Sequence, residues 1–239
     1  MRFAQYANMT KREWEKYLAQ NYGAKYVSKL SELYSPADYP FAEGGAPCAG
    51  DAKESKGCSV YYYLLAKLST DQAITCPTRE AARQLSSAIP KQAFQYSWEF
   101  PSYGDNFNAS VDLSTNFIGH CTQRSYEMSN EEWLGSTPDH PADTLHQDIS
   151  ALVSSFWTNL AKYGDPNGAG DDKIPAARAW AAYSNATDQS YRFGNSSALS
   201  GMAANARARC DFLTTNFPHD SALESWLRQL PEAAGDAGH

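Results

Sequence analysis

Apolar residues recur along this chain in two rhythms, and the rhythms divide it into helices and strands. Between residues 11 and 22, Trp14, Tyr17, Leu18 and Tyr22 fall on one side of a helical repeat, so the segment reads as an amphipathic helix. Its start is marked by Thr10 and Glu13, which have the spacing of a capping box, each side chain satisfying one orphan backbone N–H. The segment "SVYYYLLAKLSTD" repeats the pattern with Val60, Tyr61, Leu64, Leu65 and Leu68 inward. In "TCPTREAARQLSS" a further helix is expected to begin, capped by Thr75 or Cys76. Pro77 then sits in its first turn, where a missing N–H costs nothing. The period changes to two in "AFQYSWEF" (93–100). Phe94, Tyr96, Trp98 and Phe100 share one face there and Gln95, Ser97 and Glu99 the other, which predicts a strand. The longest helical signal covers 143–164, with Leu145, Ile149, Leu152, Val153, Phe156, Trp157 and Leu160 in one stripe. Gly164 stops it and Pro166 follows. "QSYRFG" reads as a short strand and "SALESWLRQL" as a final helix, while the Pro- and Gly-rich 34–58 reads as loop. Helices interleaved with aromatic strands predict the α/β class, and no linker or internal repeat divides the chain.

Composition narrows the function classes. Of 239 residues, 42% are hydrophobic and 20% charged, proportions that suit a packed core rather than a disordered chain. Net charge is −7 with Lys and Arg scattered, which argues against nucleic acid as a partner, because that affinity comes largely from neutralised phosphates. No apolar run is long enough to span a membrane. Five cysteines allow two disulfides and one spare thiol. N-x-[S/T] sequons occur at Asn8, Asn108, Asn185 and Asn195, which together with the cysteines point to the secretory pathway and a glycoprotein. The N-terminal residues lack the apolar core of a leader peptide, so the natural start is expected to lie upstream.

Several chemistries find no support. There is no phosphate-binding G-x-x-x-x-G-K-[ST] loop and no G-x-G-x-x-G. His140 and His146 are six apart, and no cysteines form C-x-x-C, so neither a metal nor a cofactor is expected. No G-x-S-x-G nucleophile elbow occurs; the nearest approach, Gly194 to Ala198, lacks the closing glycine and overlaps a sequon. His120, in "NFIGHCTQRSYEM" (116–128), is open to two readings from the residues alone: a general base, or a histidine bonded within a turn. A base needs a nucleophile in reach and a carboxylate to orient it, and Asp105, Asp112 and Glu127 are near only in sequence.

Taken together, several segments resemble the C-terminal part of type-B carboxylesterases, the cholinesterase-like branch of the α/β-hydrolases. "WTNLAKYGDPNG" (157–168) is similar to the family's "W-T-N-F-A-x-x-G-D-P-N", and Trp180 and Tyr183 fit the "W-P-x-Y" that follows. "TDQAITCPTREAARQL" matches "T-D-x-x-F-x-C-P-x-R-x-x-A", "AFQYSWEF" matches the next aromatic strand, and "ELYSPADYP" has a counterpart upstream. The resemblance runs from about residue 10 to residue 215. It implies part of an α/β-hydrolase fold, incomplete alone: a C-terminal region of the domain over 1–218, then a helix and tail over 219–239.

The resemblance also assigns roles. "GHCTQRSYEM" falls on the family's "G-x-x-H-G-x-E" segment, so His120 is expected to be the general base of a Ser-His-acid triad. Cys121 stands where Gly is usual, Gln123 where Glu is usual, and Arg124 where an apolar residue is usual. The serine and acid motifs are absent from these 239 residues, so the chain alone is expected to be inactive. An upstream portion or a second chain would supply nucleophile and acid for an ester substrate. The departures around His120 leave open a non-catalytic adhesion or binding member. The family's disulfide implies a bond between Cys76 and Cys210. Cys48 and Cys58, flanking a polar loop, are expected to pair on composition and spacing, leaving Cys121 odd.

Overall fold

The computed structural model describes residues 9–38, 59–100, 123–127, 144–194 and 197–218. Helix α1 (Lys11–Tyr22) opens with the expected capping box, Thr10 and Glu13 exchanging both hydrogen bonds, and places Trp14 and Leu18 in the core. A positive φ of 95° at Gly23 turns the chain toward α2 (Val27–Leu33), a short helix whose pattern is too brief to stand out in sequence. Helices α3 (Val60–Thr70) and α4 (Cys76–Ala88) follow.

The break expected before Pro77 does not occur. Thr75 keeps helical angles and caps nothing. Instead a π-turn over Asp71–Thr75 carries α3 directly into α4, with the Cys76 N–H bonded to the Asp71 carbonyl. The widened turn accommodates the ring of Pro77, which a regular helix interior excludes. Leu64, Leu65 and Leu68 are fully buried as expected, whereas Val60 and Tyr61 are half-buried.

Three strands form a mixed sheet in the order β1 (Tyr96–Trp98), β2 (Gln189–Phe193), β3 (Ala198–Gly201). β1 runs parallel to β2 with Tyr96 opposite Tyr191 and Trp98 opposite Phe193; β2 and β3 are antiparallel. β1 is shorter than the alternating run 93–100, but the alternation holds: Phe94, Tyr96, Trp98 and Phe100 all join one aromatic core. The short helix α5 (Arg124–Glu127) and the long α6 (Thr144–Tyr163) pack on that core. α6 buries Ile149, Leu152, Val153 and Phe156, with Leu145 and Trp157 half-buried beside them. Leu160, expected in the stripe, is 41% exposed, and Asn159 takes the inward position. His146 and Ser150 are also buried on this face.

Helix α7 (Ala204–Asn216) returns to the first helices and completes a second core of Trp14, Leu18, Leu30, Tyr34, Leu64, Leu65, Leu68 and Leu213 around the Cys76–Cys210 disulfide. Periodicity could not reveal α7, because its buried face is Arg209, Cys210 and Leu213. The helix expected over "SALESWLRQL" lies outside the described residues. Small mixed sheet and flanking helices agree with a partial α/β-hydrolase fold.

Candidate functional site

His120 lies outside the described residues; residues 123–127, which follow it, are held from two sides. The Tyr126 and Glu127 amides both donate to the Gln123 carbonyl at 3.0 Å, closing the turn of α5. The carbonyls at a helix C-terminus lack intrahelical partners. Here Ser150 donates to the Tyr126 carbonyl at 3.1 Å, and Ser154 reaches the Tyr126 and Glu127 carbonyls at 3.3 and 3.4 Å. The Tyr126 ring is fully buried against Trp98 (4.8 Å between centroids), Phe100 (5.7 Å) and His146 (6.2 Å). Tyr96 of β1 donates its hydroxyl to Glu127 Oε1 at 3.3 Å. Strand and helix together therefore set where the chain stands three residues after His120. Gln123 is half-buried and Arg124 exposed, so the Arg124 charge stays solvated where the family carries an apolar residue.

Below this platform, three consecutive residues of α7 tie the helices that precede the sheet. Arg209 Nε donates to Asp71 Oδ2 at 2.7 Å, Cys210 is bonded to Cys76, and Asp211 accepts from Arg79 at 2.7 Å. Asp71 also accepts from the Tyr34 hydroxyl at 3.1 Å and pairs with Lys67. Burial, and then the Asp71 charge, push the Tyr34 phenol far above its ordinary range. Arg79 grips Asp188 with Nε and Nη2, and Asp188 further accepts from Tyr183 at 2.6 Å and pairs with Arg207 at 3.3 Å. Burial alone would raise the Asp188 carboxyl. Hydrogen bonds from Arg79 and Tyr183, with the charges of Arg79 and Arg207, outweigh it and hold the group below its ordinary value. The buried Asp71 and Asp188 thus each meet an arginine and a tyrosine hydroxyl donor, and the buried Arg209 and Arg79 each meet a carboxylate, the condition under which burial is tolerated. Asp71 and Arg79 are the charged members of the matched "T-D…C-P-x-R" stretch. That same spacing was the available signal for both, though neither drew a role from sequence.

The segment "WTNLAKYGDPNG" has a structural explanation. Asn159, 2% exposed, donates from Nδ2 to the Pro166 and Asp172 carbonyls at 3.2 and 2.9 Å. Gly168, at φ +68°, comes so close that a Cβ there would stand 2.5 Å from Asn159 Nδ2. Asn167 turns on Asp165 and brackets Trp180, accepting from its amide at 2.7 Å and donating to its carbonyl at 2.9 Å. Trp180 Nε1 in turn donates to the Gln95 carbonyl at 3.0 Å, beside β1. These residues join the end of α6 to the aromatic core through Trp180.

The Cys76–Cys210 pairing is present, both sulfurs buried. Asn185 lies in an exposed turn. Cys48, Cys58, Cys121, Asn8, Asn108, Asn195 and His140 lie outside the described residues, and His146 is a core residue facing Phe100. A cavity of about 600 Å³ lies between α1, α2 and α3, lined by Trp14, Val27, Ser31, Tyr34 and Tyr61 with the exposed Lys11 and half-buried Glu15; it draws no residue from 123–127. A groove of about 380 Å³ lies between α6 and 171–174. Among the described residues no three His, Cys, Asp or Glu side chains are grouped to hold a metal, and no helix is long and apolar enough to cross a membrane.

Comparison with protein families matches residues 4–213 to the carboxylesterase family. No curated protein matches the chain.

Proposed function

The chain belongs to the carboxylesterase family, and from that premise we propose that it is the part of a carboxylic ester hydrolase that carries the triad histidine. His120 is the general base in this reading. Its Nε2 takes the proton from a serine hydroxyl as that oxygen attacks the ester carbonyl, then returns it to the departing alcohol. Serine and acid come from an upstream portion or a second chain, since these 239 residues hold neither motif. The observation that carries the reading is that the family match spans His120 while α5, which begins four residues later, is clamped by Ser150, Ser154 and Tyr96. A base must be held to within a fraction of an ångström of its nucleophile, and that clamp supplies a fixed reference. The disulfide and the sequons support a route through the secretory pathway.

Cys121, Gln123 and Arg124 beside His120 support a second reading, a family member that binds or adheres without catalysis. Joining the upstream coding portion to this chain and assaying short nitrophenyl esters separates the two. Hydrolysis that His120→Ala abolishes in a folded protein establishes the first. No hydrolysis by a folded, joined protein leaves the second.

A further inference from the structure

Asn185 sits in the exposed turn between Tyr183 and Asp188, and its side chain lies against the C-terminal end of α4. The turn is built on Ser184: its carbonyl accepts the Thr187 and Asp188 amides at 3.2 and 2.8 Å, and its hydroxyl accepts the Ala186 amide at 3.2 Å. Ser86 shares its one hydroxyl hydrogen between the Arg83 carbonyl at 3.1 Å and Asn185 Oδ1 at 3.4 Å, and Asn185 Nδ2 donates to Ser87 Oγ at 3.2 Å. An amide nitrogen carries two hydrogens. One is committed to Ser87, and the other has no partner among the described residues.

We propose that Asn185 carries an N-linked glycan. The donor is an oligosaccharide linked through pyrophosphate to a lipid. A bond forms between Nδ2 and the sugar C1, the C1–O bond to pyrophosphate breaks with its electron pair on the leaving group, and one Nδ2 proton passes to a base of the transferase. Nothing is oxidised or reduced. One N–H remains on Nδ2 to donate to Ser87 Oγ, and the exposed turn leaves the sugar in solvent. Thr187, two residues on, is exposed, with its hydroxyl 3.5 Å from the Ser184 carbonyl. Tyr183 and Asp188, joined to each other and to Arg79, hold the two ends of this turn.

The proposal rests on the secretory route but not on ester hydrolysis. The full chain behind a cleavable leader is expressed in a eukaryotic cell, and tryptic peptide 179–192, which holds Asn185 as its one sequon asparagine, is read by mass spectrometry. After peptide N-glycosidase in heavy-oxygen water the peptide is expected to carry the heavy label. Thr187→Ala removes the label and Thr187→Ser keeps it, in protein secreted to the same level. If the chain stays in the cell, the peptide is read from the endoplasmic-reticulum fraction, where transfer has already taken place. A cleaved leader with an unlabelled, unglycosylated 179–192 overturns this proposal alone. An uncleaved leader with every sequon peptide bare overturns the secretory route with it.

Discussion

Arg79 and Asp188, 109 residues apart in sequence, meet through three hydrogen bonds of 2.7–3.0 Å with both side chains buried. Asp188 sits at φ +51°, an angle that Asn adopts as readily as Asp. Asp188→Asn therefore removes the charge and spares the backbone. It leaves the buried Arg79 with the half-exposed Asp211 as its one acid partner, and is expected to cost about 3 kcal/mol. Asp211→Asn, at a side chain 54% exposed, is expected to cost under about 1 kcal/mol. Urea midpoints at neutral pH, with unchanged slopes, check both values.

Acid should act through the same carboxylate. The folded protein holds Asp188 below its ordinary value of 3.8, so its contribution is complete above that value and is lost as pH falls through the folded pKa. The urea midpoint of the wild type should therefore drop more steeply below pH 3.8 than that of Asp188→Asn. Parallel curves would show that Asp188 titrates alike in both states.

The Cys76–Cys210 bond joins residues 134 apart, and in the chain-entropy account a loop of that length stabilises by up to about 5 kcal/mol. Replacing both cysteines by Ala is expected to lower stability by a few kcal/mol, with alkylation and intact mass confirming that the wild type is oxidised. Arg209 and Asp211 would still join the two helices, so the variant should remain folded at low denaturant.

Gly168→Ala meets two obstacles at once, a φ of +68° and a Cβ 2.5 Å from Asn159 Nδ2 and 2.6 Å from the Asp172 carbonyl. A loss of about 2 kcal/mol or more is expected. Asn159→Ala relieves the contact but leaves the Pro166 and Asp172 carbonyls without that donor, for about 1–3 kcal/mol. The pair should be non-additive in thermal unfolding, because Asn159→Ala removes one of the clashes that Gly168→Ala creates while the φ and the Asp172 carbonyl contact remain.

The elements that announce themselves in sequence are those whose buried face is apolar. α1 shows its capping box, β1 its alternating aromatics, and α6 its stripe up to Phe156. Where polar side chains turn inward the pattern fails. Leu160 gave way to Asn159 because two loop carbonyls needed a donor there. α7 went unseen because Arg209 occupies its buried face, and the π-turn at 71–75 is an adjustment around Pro77 that no periodicity encodes. Of the candidate site, the disulfide and His120 came from resemblance to the family and not from local pattern. The serines that clamp α5 have no signature at all, since a hydroxyl facing a carbonyl 24 residues away looks like any surface serine in a helix.

The bond between Cys76 and Cys210 also changes what a protease can do to this molecule. It encloses every residue from 77 to 209, and with them the three strands, the clamp around Tyr126 and His120 itself. A single cut anywhere in that span produces two chains that stay joined. Nicked protein would run as one species without reductant and as two pieces with it, and His120 would stay covalently joined to the rest of the chain after the backbone beside it was severed.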